Sequence, residues 1–320
     1  MTRLTPLLAA ALAGAMLAPL ATAQTWPAKP ITIIAPFGPG SGTDVVSRLY
    51  ARFITEDTGV AVLVENRPGA NAMIGSALAA KAAPDGYTVL MGSGTANATN
   101  YALYADRIAY KPEQFATVAV LFVTPPVVFA AQGIAGDTLQ KVVASAKASP
   151  KGASCGTGNA VTLVACELLK QLTKTDIVAI SYKGNGQSLA DLAGGQITLA
   201  ISDMGAASPF VASGRARPIA VAAHKRLAQL PGVPSALEQG IDMDFLSWNA
   251  VFVPAGTPEP VIQKLNAIAK RMLASPEGEK QRLASAGMPV SGDLAESRKF
   301  VQDEIAKWAR YVRETGVKVE

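Results

Sequence analysis

Histidine, cysteine and charge are scarce in this 320-residue chain: it has one His, two Cys, 17% charged residues and 6% aromatics. One imidazole and two thiols fall short of the three or four nitrogen and sulfur ligands of a usual zinc site. The acids show no clustered or EF-hand-like spacing. Neither a metal nor a cofactor is expected. Few charges and 49% apolar residues also exclude long disordered tracts, which have the opposite composition. The formal charge of +5 is dispersed, with no Lys/Arg run longer than two residues, so no nucleic-acid partner is expected. Mild, spread positive charge favours small anionic ligands instead.

What the chain does have begins at its N-terminus. Arg3 precedes an uncharged stretch from Leu4 to Leu20, and Ala21-Thr22-Ala23 supplies the small residues that signal peptidase requires. Residues 1–23 therefore read as a signal peptide cleaved after Ala23, and no later segment is expected to span a membrane. The exported product, residues 24–320, loses one positive charge with Arg3 and belongs in an oxidising compartment such as the periplasm. Cys155 and Cys166 can pair there, or remain two buried free thiols.

Strand-like apolar runs alternate with helical patterns, the signature of α/β layers with parallel strands. Strands are predicted over 31–36, 60–65, 87–91, 177–181, 197–202 and 217–222, with further strands between Val118 and Ala130. Helices are predicted over 43–57, 74–82, 139–148, 160–172 and 188–193. In the first helix Val45, Val46, Leu49, Phe53 and Ile54 fall on one face. The last third differs, with a strand over 250–254 and long amphipathic helices over 258–274 and 294–315. Apolar extended segments near Leu121–Thr124 and Trp248–Val253 read as crossings. The expected layout is a discontinuous lobe 1 (24–123 and 250–320), a lobe 2 (124–249) and a cleft between them.

The loop Phe37-Gly38-Pro39-Gly40-Ser41-Gly42-Thr43-Asp44 joins the first strand to the first helix. Its glycines allow close backbone approach to a ligand, and the helix start offers free N–H groups and a favourable dipole to an anion. Ser41 or Thr43 can equally serve as the helix cap, and Asp44 as its dipole partner or as the receiver of a ligand ammonium. Three more loops share this character: Met91–Asn97, Ser154–Asn159 and Tyr182–Gly186. All four stand at the strand ends where open α/β folds bind ligands.

Two enzymatic alternatives compete. A nucleotide-binding oxidoreductase would use Gly38, Gly40 and Gly42 with Glu65 as the ribose acid, but Thr43 stands where the third glycine of G-x-G-x-x-G belongs. A secreted hydrolase would need His224 as its base. That residue lies in Ala222-Ala223-His224-Lys225-Arg226, where two adjacent cations disfavour the imidazolium and the setting is that of a solvated histidine.

Ordered blocks along residues 24–320 carry a resemblance: Trp26-Pro27, Pro36–Asp44, Glu65-Asn66-Arg67-Pro68-Gly69-Ala70, Ala83–Thr88, Tyr182-Lys183-Gly184, Asp191–Ile197, Leu230–Ser235 and Val253–Pro258. With these the chain resembles the extracytoplasmic solute receptors of the tripartite tricarboxylate transporter system, the Bug or TctC-like family. The resemblance implies a type II periplasmic binding protein fold, with two α/β lobes joined by crossing strands. It implies a small carboxylate ligand, captured by hinge closure and delivered by a monomeric receptor to membrane transporter subunits or a sensor ectodomain. No catalytic residues are implied. Carried over residue by residue, the carboxylate end falls to Phe37, Ser41, Gly42, Thr43, Asp44, Ser93 and Thr95, and the second lobe offers Thr157, Asn159, Tyr182, Lys183 and Asp203. Ser154-Cys155-Gly156-Thr157 and Leu163 depart from the family's usual G-S-x-G and histidine, which alters the wall that selects the solute.

Overall fold

A computed structural model describes residues 26–317, so the expected signal segment and its cleavage point lie outside the described residues. The first half of the chain folds as β1 (Ile31–Ala35), α1 (Gly42–Thr58), β2 (Val62–Asn66), α2 (Met73–Ala80) and β3 (Thr88–Ser93). A single π-type turn (Thr95–Thr99), α3 (Asn100–Leu103) and β4 (Phe115–Thr124) follow. Then come β5 (Val127–Ala131), α4 (Leu139–Ala148), β6 (Ser154–Thr157), α5 (Ala160–Thr173), β7 (Val178–Ser181), α6 (Asn185–Ala193), β8 (Leu199–Ser202), α7 (Met204–Ala212) and β9 (Ala216–Val221). The chain ends with β10 (Ser247–Pro254), α8 (Glu259–Leu273), α9 (Pro276–Ala284) and α10 (Leu294–Thr315).

These strands form two five-stranded sheets, ordered β2-β1-β3-β10-β4 and β7-β6-β8-β5-β9. β1 runs parallel to β2 and β3, while β10 lies antiparallel between β3 and β4. β6 runs parallel to β7 and β8, and β5 is antiparallel to β8 and β9. Pro125-Pro126, which cannot donate to a ladder, separates β4 from β5 at the step between sheets. The uncharged run from Gln114 to Gly136 is thereby spent on two buried strands, and no helix among the described residues is long and apolar enough to cross a membrane. Ser247, Trp248 and Asn249 already pair with Thr124, Val123 and Phe122 of β4, so the return to the first sheet starts three residues before the strand predicted from Ala250.

The helices cover the sheets as amphipathicity requires, with one correction. In α1 the buried face holds Val46, Tyr50, Phe53 and Ile54, whereas Val45 is 40% exposed. Tyr50 takes its place, and its buried hydroxyl donates to the Leu265 carbonyl of α8 at 2.7 Å, tying the first helix to the last third of the chain. Five other elements escape the sequence patterns: β6, read as a loop; the π-type turn; the one-turn α3; α7, which contains Gly205 and Pro209; and α9. β6 has only one β-branched residue, but burial makes it a strand: a Cβ at Gly156 would meet the Ser188 hydroxyl at 2.2 Å and the Ile197 side chain at 2.5 Å.

Candidate ligand-binding site

The loop after β1 is held from beneath. Ser41 is the N-cap of α1, its hydroxyl accepting the Asp44 N–H at 3.2 Å. Asp44, 3% exposed, accepts the Gly40 N–H at 2.9 Å, the Asn66 side-chain N–H at 2.9 Å and the Arg48 Nε–H at 3.1 Å, and its other oxygen is ion-paired to Arg48 Nη2 at 3.0 Å. Asn66, at the end of β2, also donates to the Phe37 carbonyl at 3.0 Å. Burial alone pushes the Asp44 carboxyl up, but the bonds from Arg48, Gly40 and Asn66 outweigh it and hold the group below the usual carboxylate range. Both oxygens of this carboxylate are engaged inside the protein. Asp44 therefore shapes the loop, and the alternative of receiving a ligand ammonium loses its free acceptor.

With Asp44 and Gly40 satisfied in this way, the first two amides of α1, Gly42 and Thr43, have no acceptor among the described residues. A Cβ built on Gly42 meets nothing within 4 Å, so space lies before those amides. Thr43 Oγ1 accepts from Asn249 Nδ2 at 3.0 Å, and the same nitrogen reaches the Gly92 carbonyl at 3.4 Å. Asn249, on β10 beside β3, thus joins the start of α1 to the end of β3. The register shift between Asn249 and Ala250 marks an irregularity of the kind that re-aims a side chain. At the end of β3, Ser93 accepts the Ala96 N–H on its hydroxyl and donates its own N–H to Asn97. Thr95 opens the π-type turn, 4% exposed, and its hydroxyl has no partner among the described residues.

The second sheet gathers the other predicted residues. β6, β7 and β8 are parallel, so α5, α6 and α7 all start at one edge. Asn159 caps α5 through the Thr162 N–H at 3.0 Å, and Asp203 caps α7 through the Ala206 N–H at 2.9 Å. Asn185 links them: its amide donates to Asp203 at 3.1 Å, and a Cβ on Gly158 would lie 2.2 Å from its backbone nitrogen. Thr157 is buried, with its hydroxyl directed at the Ile180 carbonyl at 3.4 Å. Tyr182 donates its hydroxyl to Asp191 at 2.9 Å; desolvation and that carboxylate push the phenol up to about 12. Only α6 lacks a side-chain cap, since Gly184 precedes it, and exposed Lys183 beside that open end has no ion-pair partner among the described residues. Cys155 of β6 and Cys166 of α5, both buried, form a disulfide with Cα atoms 6.1 Å apart, fastening the strand below this loop to the helix above it.

The structure thus assembles two constellations that share no hydrogen bond. Asn66, Asn185 and Asn249 were missed from sequence, because their partners lie 18 to 206 residues away and a single asparagine carries no motif. The hydrolase reading finds no site. Gly152-Ala153-Ser154-Cys155-Gly156 has G-x-S-x-G spacing, yet Ser154 opens the buried strand β6 and exchanges hydrogen bonds with Thr198. His224 pairs with Asp242 at 2.9 Å on the exposed surface. The oxidoreductase reading fares no better, since Glu65 is paired to Arg67 at 2.8 Å. Among the described residues no group of three His, Cys, Asp or Glu could hold a metal ion.

A consequence of the Asp44 network is testable by pH. A depressed folded pKa means that its stabilisation is present above the unfolded value of 3.8 and is lost as pH falls through the folded value. Asp44→Asn is expected to unfold at lower temperature than wild type at neutral pH and to lose less on acidification between about pH 5 and pH 2. Parallel acid branches for the two proteins in thermal unfolding would contradict the assignment.

Two mixed sheets in these strand orders, joined by crossing strands and packed with helices, define the class of two-lobed periplasmic binding proteins. Residues 46–317 match the tripartite tricarboxylate transporter family receptor, TctC, and the chain belongs to that family. BugT of Bordetella pertussis is 35% identical over 100% of this chain and 99% of its own length. A UPF0065 protein from the TAR-I ttuE-ttuC' intergenic region of Agrobacterium vitis is 33% identical over 92% of this chain and 86% of its own. Among solved structures, Rpa4515 of R. palustris with adipate superposes with a TM-score of 0.83 at 30% identity, covering 92% of this chain and 99% of that one. MatC (Rpa3494) of Rhodopseudomonas palustris with bound malate gives 0.80 at 28% identity, covering 90% and 100%. Receptors of this family are periplasmic binding proteins, and neither the hydrolase nor the oxidoreductase alternative is supported.

Proposed function

We propose that this chain captures a small carboxylate between its lobes, closes on it about the crossing strands, and presents the closed form to membrane transporter subunits or a sensor ectodomain. It acts without catalysis and as a monomer. It works in the periplasm after cleavage behind Ala23. Lobe 1 comprises 24–123 and 250–320 and lobe 2 comprises 124–249, with the pairing of β10 drawing the return crossing toward Ser247. The observation that carries this reading is the pair of open amides at Gly42 and Thr43, presented at a helix start by a loop that Asp44 holds rigid. In lobe 2, the uncapped start of α6 and Lys183, which has no ion-pair partner among the described residues, suit a second anionic or polar group. The adipate and malate bound by the two R. palustris relatives are ligands of this chemistry.

A thermal-shift screen of the exported chain tests this, against mono-, di- and tricarboxylates, acidic amino acids, aromatic acids and sugars. A ligand at 100 times its Kd stabilises the folded state by about 2.7 kcal/mol. At least one carboxylate is expected to raise the midpoint in proportion to the logarithm of its concentration. Stabilisation by sugars alone would overturn the proposal, and turnover of an ester or of NAD would restore the enzymatic alternatives.

A further inference from the structure

Behind the ligand loops lies a buried cluster that the site description does not use. Trp248 of β10 is 3% exposed and donates its indole N–H to Glu304 Oε2 of α10 at 3.0 Å. Trp308 donates to the same oxygen at 3.1 Å, and Lys307 pairs with the other carboxylate oxygen at 2.5 Å while reaching Asp244 at 3.4 Å. Glu304 is itself only 3% exposed. A buried charge that receives two indole N–H groups from two different elements fixes both rings in place, because each N–H would otherwise be left unsatisfied.

The face of this cluster toward the ligand site is Gly94. A Cβ there would stand 3.1 Å from Trp248 Nε1 and 3.4 Å from both Trp248 Cδ1 and the Leu246 carbonyl, so the loop backbone rests on the edge of the indole. Gly94 connects Ser93 to Thr95, and its carbonyl accepts the Thr99 hydroxyl at 3.2 Å. α10 also packs directly on the π-type turn and on β4. The chain of support runs from Glu304 through Trp248 to Gly94, and thence to Ser93 and Thr95.

We propose that Glu304 is a positioning residue of the ligand site: by holding the Trp248 indole it sets where the Ser93–Thr99 segment meets the bound solute. This rests on the carboxylate-receptor reading, but its first test needs no ligand. In unliganded Glu304→Met and Trp248→Phe proteins, amide hydrogen exchange over Gly94–Thr99 is expected to accelerate on the order of tenfold over wild type. Exchange in α1 should stay unchanged. Glu304→Gln keeps an oxygen for the indoles while losing the ion pair to Lys307, and is expected to restore loop exchange to within about twofold of wild type. Lys307→Met, which leaves both indole bonds in place, should lower the unfolding midpoint without touching the loop.

With adipate as the probe, Glu304→Met and Trp248→Phe should raise Kd on the order of tenfold, and Glu304→Gln should not. If Glu304→Met and Trp248→Phe lower the unfolding midpoint but leave Gly94–Thr99 exchange as in wild type, the cluster is scaffold alone and the assignment is wrong. If neither adipate nor any other carboxylate of the screen binds wild type, the carboxylate reading fails, and loop exchange alone decides the role of Glu304. If Glu304→Met does not fold, Trp248→Phe carries the same comparison.

Discussion

A Gly42→Phe protein is expected to unfold at nearly the wild-type temperature and to bind its carboxylate on the order of a hundredfold more weakly, a loss of about 2.7 kcal/mol. The two halves of this expectation have separate causes. Gly42 is the first residue of α1, in ordinary helical backbone, and a Cβ added there meets no atom within 4 Å, so the fold is not asked to move. Helix propensity slightly favours Phe over Gly in any case. The ring would, however, occupy the space in front of the Gly42 and Thr43 amides, the groups that the proposed function assigns to an anion. Gly42→Ala should show a smaller loss. Titration calorimetry beside thermal unfolding separates the effects, and wild-type affinity in Gly42→Phe would move the carboxylate elsewhere.

The largest expected change in stability comes from the disulfide. Replacing Cys155 and Cys166 together by Ala should cost about 3 kcal/mol, from the freedom returned to the unfolded chain when a closed loop of this size is opened. For a chain of this length that corresponds to a fall of about 5 °C in Tm. Both sulfurs are buried, so a reductant is expected to act on the folded protein only slowly. Mass spectrometry of the unreduced exported protein should find no free thiol. Two free thiols there, or an unaltered Tm in the double variant, would remove the disulfide from the account. Affinity should fall less than stability, since the bond fastens β6 to α5 beneath the Thr157–Asn159 loop without forming part of its surface.

The elements legible in the sequence are those whose signal is local. The strand of Ile31–Ala35 and the helices Leu139–Ala148 and Leu294–Thr315 announce themselves through periodicity and flanking caps, and the glycine-rich loop before α1 through composition. Elements defined by what packs on them are silent. β6 is Ser-Cys-Gly-Thr, a strand because Ser188 and Ile197 close over Gly156. α7 contains Gly205 and Pro209 and forms because Asp203 caps it. The same division runs through the candidate site. Ser41 and Thr43 could be named as hydroxyls near a helix start, but their different tasks could not. Ser41 caps the helix, whereas Thr43 is held by Asn249 from 206 residues away. Asp44 shows the limit most clearly, since its type and place suggested either a dipole partner or an ammonium receiver. Only Arg48 and Asn66, brought around it by α1 and β2, make it the keystone of the loop.

The strand order of the first sheet has a consequence for how the chain comes into being. β10 is wedged between β3 and β4, yet it is made from Ser247–Pro254, more than a hundred residues after either neighbour. A nascent chain emerging N-terminus first holds β1 to β4 with a slot where β10 belongs, and no local pairing can fill it. The second sheet, whose strands all come from Val127–Val221, suffers no such delay. A ribosome must finish most of the polypeptide before the lobe bearing the Gly42 and Thr43 amides can consolidate.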